Sequence, residues 1–224
     1  MAKLQIQFFY DIIQPHSFLG FQLLHKLLPS IKSKYEVEID HLPASIHSIW
    51  RTLDQESYSL LPQDTKDAIN FELEQMARGF SLDYHSVSIN RFKNYEAPGT
   101  NTLFLAMIRR ERPEVYLKFI EAFFIKTWQD RIDVDRGYKY LKIGQELGLQ
   151  FKEMDILVGN TELNVNKDDR GKINFLIKEN KYSDLPVYHL KLNNKNLIIE
   201  NVNRFGLICE ILKEDNLKFE AFFE

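Results

Sequence analysis

The stretch FFYDIIQPHSFLG, residues 8–20, decides the fold. Upstream, Leu4, Ile6 and Phe8 alternate with Lys3, Gln5 and Gln7, and Phe9 and Tyr10 extend the apolar character, the pattern of a strand becoming fully buried. Pro15 suits the first turn of a helix, where a missing N–H costs nothing. Phe18, Leu19, Phe21, Leu23, Leu24, Leu27 and Leu28 then carry that helix to Pro29. Tyr35, Val37 and Ile39, set against Glu36, Glu38 and Asp40, give a second strand ending near Pro43. The QPHS tetrad therefore stands where a strand hands over to a helix, in a βαβ beginning.

From about residue 44 to about residue 180 the strand signal gives way to successive helical patterns. Asp64 to Arg78 carries Ile69, Phe71, Leu73 and Met76, with Gly79 as a stop. Thr100 or Asn101 is placed to cap a helix from Leu103 to Arg110, and Pro113 opens the next, PEVYLKFIEAFFIKTWQD. That helix is apolar on most faces, which assigns it to the core or to a subunit interface. Shorter helical pieces follow at Asp135 to Gly148, at Lys152 to Gly159, and around Gly171. Strand character returns at Pro186, Val187, Tyr188 and Leu190, passes through the turn signal Asn193-Asn194 to Leu197, Ile198 and Ile199, and gives a hairpin. Asn203 to Leu212 closes the pattern as a helix.

The chain has 224 residues, 44% of them hydrophobic, enough for one core of useful size. Its 29 basic and 32 acidic side chains leave a formal charge of -3, without the basic footprint of a nucleic-acid binder. One cysteine, Cys209, permits neither an intrachain disulfide nor a cysteine zinc site, and its neighbours read as a buried apolar position. No apolar run approaches the roughly 20 residues that span a bilayer. MAKLQIQFFYD enters a strand without a signal-peptide pattern. The expectation is a cytoplasmic protein with no membrane and no nucleic-acid partner. His41 and His47 lack an acidic partner at metal-ligand spacing, so no metal is assigned.

The order β-α-β, helices, β-β-α is that of a thioredoxin fold with an insertion, and FFYDIIQPHSFLGFQLL resembles the amino-terminal motif of kappa-class glutathione transferases and 2-hydroxychromene-2-carboxylate isomerases. The matching residues are Phe9, Tyr10, Asp11, Pro15, Ser17, Phe18, Leu19 and Gly20. Lys126-Thr127-Trp128 with Asp133-Val134 is similar to the family's Trp-containing helix and its exit, and Asp184-Leu185-Pro186 to the Leu-Pro where such folds hold a cis proline. The resemblance implies an α/β, DsbA-like architecture: a discontinuous thioredoxin domain, residues 1–45 and 181–224, interrupted by an all-helical insertion, residues 46–180.

It also implies glutathione as thiol co-substrate. Ser17, near a helix N-terminus, would stabilise the glutathione thiolate, since a helix dipole and a donated hydrogen bond both favour the charged sulfur. The backbone at Leu185, beside Pro186, would pair with the cysteinyl part, and Lys66 lies near the position of a lysine serving the glycyl carboxylate. Where the kappa-class pattern has Ser and Asp holding the glutamyl end, this chain has Val202 and Asn203. Val202 offers no side-chain hydrogen bond, while Asn203 can cap a helix but carries no charge. The implied substrate is a small electrophilic or aromatic compound, and a homodimer is compatible with the family.

Residues read without the resemblance leave plainer roles open. Ser17 is also a normal first-turn helix residue, Pro186 an edge-strand residue, Lys66 a solvated lysine, and His16 either a group that tunes a neighbouring thiolate or a surface histidine. QPHS has the spacing of a Cys-Pro-His-Cys redox site with Gln14 and Ser17 in place of both cysteines, so dithiol exchange through it is excluded. The alternatives to a glutathione-dependent transferase or isomerase are a DsbA-superfamily protein using another thiol, or a non-catalytic binding module using the thioredoxin groove.

Overall fold

The computed structural model describes residues 2–55, 60–84, 100–132, 134, 137–162, 167–192 and 195–211, the side chains of 162, 167–170 and 209–211 excepted. The turn signal at Asn193-Asn194, Asp133 and the side chain of Cys209 lie outside the described residues. Strand β1 (Ala2–Tyr10) leads into helix α1 (Pro15–Lys34), strand β2 (Tyr35–Pro43) and helix α2 (Ile46–Thr52). Six helices follow: α3 (Gln63–Gly79), α4 (Thr100–Glu111), α5 (Pro113–Trp128), α6 (Gly137–Glu146), α7 (Phe151–Glu162) and α8 (Lys167–Glu179). The hairpin β3 (Val187–Leu192) and β4 (Lys195–Glu200) comes next, then a 3-10 turn (Val202–Arg204) and α9 (Gly206–Ile211).

The sheet order is β2-β1-β3-β4. β2 runs parallel to β1, in register from Ala2 opposite Tyr35 to Tyr10 opposite Pro43. β3 is antiparallel to β1, with Phe8 opposite Tyr188, and β4 is antiparallel to β3. Among the described residues the strands come from 2–43 and 187–200, and helices α2 to α8 lie between them in sequence, which is the thioredoxin fold with a helical insertion.

Period-two burial explains β1. Leu4, Ile6, Phe8, Phe9 and Tyr10 are all buried, while Lys3 and Gln5 are exposed. Phe8 stacks on Tyr10 and packs against Phe21 of α1 and Tyr188 of β3. Tyr10 and Phe21 both meet Phe124 of α5, so the inserted helix lies on the same aromatic layer as α1. The adjoining face of α5 builds a second cluster, in which Phe123 stacks with Phe104 of α4 and Tyr140 of α6. This accounts for a helix apolar on most faces. Arg109 of α4 forks onto Asp40 of β2 at 2.8 and 3.0 Å, tying the insertion to the sheet edge.

Three expectations about boundaries need correction. α1 does not stop at Pro29 but continues to Lys34. A helix-interior proline costs roughly 3 kcal/mol, and here the continuing turn places Ile31 in the core with no exposed surface. α4 begins at Thr100, so Asn101 lies inside the helix and is not its cap. The final helix is split into the 3-10 turn and α9, with Asn201 at the start of the turn accepting the Asn203 N–H at 3.1 Å. Capping therefore comes from Asn201 and not from Asn203.

Candidate functional site

β1 delivers Asp11 and the turn 11–14 to the start of α1. Asp11 is buried, and its carboxylate accepts the Ile13 N–H at 3.2 Å and the Ile46 N–H of α2 at 2.9 Å. Burial raises its pKa from 3.8 to about 6, against these backbone donors, which pull it down. Trp128, at the end of α5, donates from Nε1 to the Ile12 carbonyl at 2.8 Å. The insertion thus fixes the turn from outside.

Ser17 is in the third position of α1, and its Oγ accepts the Asp11 N–H at 3.3 Å. With its acceptor side turned to that amide, the hydroxyl keeps its own proton for donation. The serine has no exposed surface, and Gln14 and His16 beside it are buried too. His16 is therefore not a surface histidine; burial alone lowers its pKa to about 4 and keeps the ring neutral. Pro15 carries no N–H, and the Ser17 and Phe18 amides both turn to the Gln14 carbonyl. No acid lies in the first turn of α1, so its dipole is not offset from within the helix.

The cis-proline loop meets this turn directly. The Leu185–Pro186 peptide bond is cis. A Cβ built on Gly20 would stand 2.7 Å from Pro186 Cγ and 2.3 Å from the Tyr188 hydroxyl, so α1 can approach the loop only where it has no side chain. Gln14 Nε2 donates to Asp184 Oδ1 at 3.1 Å, and Asn201 Nδ2 donates to Asp184 Oδ2 at 2.9 Å. Asp184 also accepts the Leu185 N–H at 2.7 Å. Its pKa is raised, by burial first, with the three donors opposing. The amide expected to meet a peptide ligand therefore rests on the carboxylate beside it.

The remaining sequence candidates fall on two sides of this centre. Val202, which opens the 3-10 turn, is buried, and its carbonyl accepts the N–H of Phe205, which packs edge-on to Tyr188. Asn203 is exposed, and its Nδ2 donates to Glu72 Oε1 of α3. Lys66, on the same helix, is buried and not a solvated lysine. Ser17 and Pro186 thus share one neighbourhood through Asp11, Gln14 and Gly20, while Asn203 joins it to α3. Asp11 and Asp184 stand inside the two quoted motifs, where the sequence assigns neither a role; the connectors Asn201 and Glu72 went unseen, because the groups they join lie far apart in the chain.

Residues 5–167 match the DSBA-like thioredoxin domain family. The chain belongs to that family. Among solved structures it is similar to a 2-hydroxychromene-2-carboxylate isomerase, with a TM-score of 0.69 and 14% identity over 93% of this chain and 94% of that one. A probable DsbA oxidoreductase from Streptomyces coelicolor gives 0.69 and 13% over 94% and 89%. The cytosolic disulfide reductase DsbM from Pseudomonas aeruginosa, solved with GSH, gives 0.58 and 9% over 93% and 96%. At these identities the likeness is one of fold. No significant match to a curated protein was found. Among the described residues no helix is long and apolar enough to cross a membrane.

Proposed function

We propose that the protein is a glutathione-dependent transferase or isomerase in which Ser17 donates a hydrogen bond to the glutathione thiolate, which then adds to an electrophilic carbon of a small aromatic or unsaturated substrate. The observation that carries this reading is the placement of Ser17: third in α1, with its acceptor side taken by the Asp11 amide and its proton left to give. A thiolate at a helix start gains from the dipole, and a donated hydrogen bond favours it further. The cis-proline loop, held beside Gln14 by Asp184, gives extended backbone for the tripeptide once Asp184 releases the Leu185 N–H. Glu72, held against Asn203, supplies the negative charge that position 203 lacks and suits the glutamyl ammonium. Lys66 is the candidate for the glycyl carboxylate. The cytoplasm, where the reduced tripeptide is abundant, is the compartment in which this chemistry fits.

The thiolate–carbon bond forms as the electrophile's π electrons move onto its conjugated carbonyl oxygen, leaving an enolate. A transferase keeps the adduct once that enolate takes up a proton from solvent, whereas an isomerase, after rotation about the bond that has become single, expels the thiolate as the enolate's electron pair returns to re-form the double bond.

A specific observation favours a second reading, a non-catalytic docking module. Ser17 has no exposed surface, and a ligand reaches its oxygen only if neighbouring groups move. Titration calorimetry with reduced glutathione separates the two. Saturable heat that Glu72→Gln weakens roughly tenfold, the loss of one charge-assisted contact, supports the enzyme. No heat at millimolar ligand sends the search to protein partners.

A further inference from the structure

Two histidines that the proposed chemistry does not use face each other between α1 and β2. His25 Nε2 lies 3.3 Å from His41 Nε2 at the end of β2. Their rings are inclined by only 17°, with centroids 5.4 Å apart, so they meet edge to edge and not face to face. Two imidazole nitrogens on one tetrahedral metal ion, at bond lengths of about 2.0–2.1 Å, lie about 3.3 Å apart. The pair borders an open cleft of about 620 Å³, and His25 also borders an adjoining one of about 480 Å³.

We propose that His25 and His41 form a two-histidine site for a borderline transition-metal dication, Zn²⁺ or Cu²⁺, whose remaining coordination positions are filled by water from the cleft. Among the described residues no cluster of three ligating side chains exists, so the protein supplies two ligands and leaves the ion open. Asp40 is not a third ligand. It lies in the same cleft but is turned to Arg109, whose charge it offsets. That pairing lessens the repulsion between the guanidinium and a dication, leaving Lys32 of α1 as the other cation on the cleft wall.

The surroundings hold the pair in place. Phe21 packs on His25 at 4.3 Å, the Phe8 ring meets His41 edge-on, and Tyr116 of α5 donates to the His41 carbonyl at 2.9 Å. An imidazole of ordinary basicity is mostly neutral at pH 7, the ligating form. Without metal, one Nε2–H donates to the other nitrogen. Binding requires that proton to move to the Nδ1 of its own ring, and no net proton is released.

The test is competitive titration of the tag-free full chain with Zn²⁺ against a chromophoric chelator, together with electron paramagnetic resonance of the Cu²⁺-loaded parent. One equivalent is expected, weakened at least tenfold by His25→Gln and by His41→Gln and unchanged by His47→Gln, with two nitrogens coupled to the copper. His25 is only partly buried, so His25→Gln retains the fold even where His41→Gln does not. No saturable equivalent, binding indifferent to His25→Gln, or fewer than two nitrogens on the copper would each overturn the proposal.

Discussion

Gln14 and Asp184 are joined by a 3.1 Å hydrogen bond across 170 residues of chain. It ties the turn before α1 to the cis-proline loop, and Asn201 closes the bridge from the other side. Asp184→Ala removes the acceptor for both side-chain amides and for the Leu185 N–H. Leaving partly buried donors unsatisfied costs about 1–3 kcal/mol, a few degrees of Tm for a chain of this size. Thermal unfolding of Asp184→Ala and Asp184→Asn checks this, with Asn recovering part of the loss because it retains one acceptor oxygen.

Gly20→Ala is expected to destabilise although alanine favours helices by about 1 kcal/mol. The new methyl meets the Tyr188 hydroxyl and Pro186 Cγ, and overpacking costs about 1–3 kcal/mol. The double variant Gly20→Ala with Tyr188→Phe, which removes the nearer obstruction, recovers part of the stability in chemical denaturation. Equal losses in single and double variants would contradict the packing argument.

Asp11 gives stability a signed pH dependence. Its folded pKa, about 6, is above the unfolded value near 3.8, so the folded state holds the proton more tightly. The contribution is fully present below pH 4, lost as pH rises from about 4 to 6, and constant above that. The difference amounts to about 3 kcal/mol. The gap in unfolding free energy between parent and Asp11→Asn, measured from pH 4 to 7, is expected to shift by this amount against the parent. Parallel curves would mean that the carboxyl titrates alike in both states.

His16 works in the opposite sense. Its folded pKa, about 4, lies below the usual 6.5, so its contribution is present above pH 6.5 and lost as pH falls from there toward 4. His16→Gln is therefore expected to resist acid better than the parent, as read from the unfolding midpoint between pH 6.5 and 4.

The residues of the sheet and of its aromatic layer were legible because their signals are local. Strand alternation at Leu4, Ile6 and Phe8 and the apolar run from Val115 to Trp128 report burial directly. What was not legible depended on partners distant in sequence. Pro29 reads as a stop, yet the helix continues because Ile31 reaches the core. Asn203 reads as a cap, yet Asn201 fills that role and Asn203 turns to Glu72. His25 and His41, 16 residues apart on a helix and a strand, fit no ligand spacing, and only the parallel pairing of β1 and β2 with α1 packed over them brings the rings together.

The central claim is that Ser17 stabilises a bound thiolate, and the most direct measurement is an ultraviolet titration of the glutathione thiol in complex with the parent and with Ser17→Ala. A free thiol titrates at about 8.5. The account predicts a bound thiol titrating at or below about 7.5 and returning toward the free value in Ser17→Ala, with binding retained. A thiol that titrates at its free value in both proteins, or no complex in either, would contradict it and leave the fold as a docking scaffold.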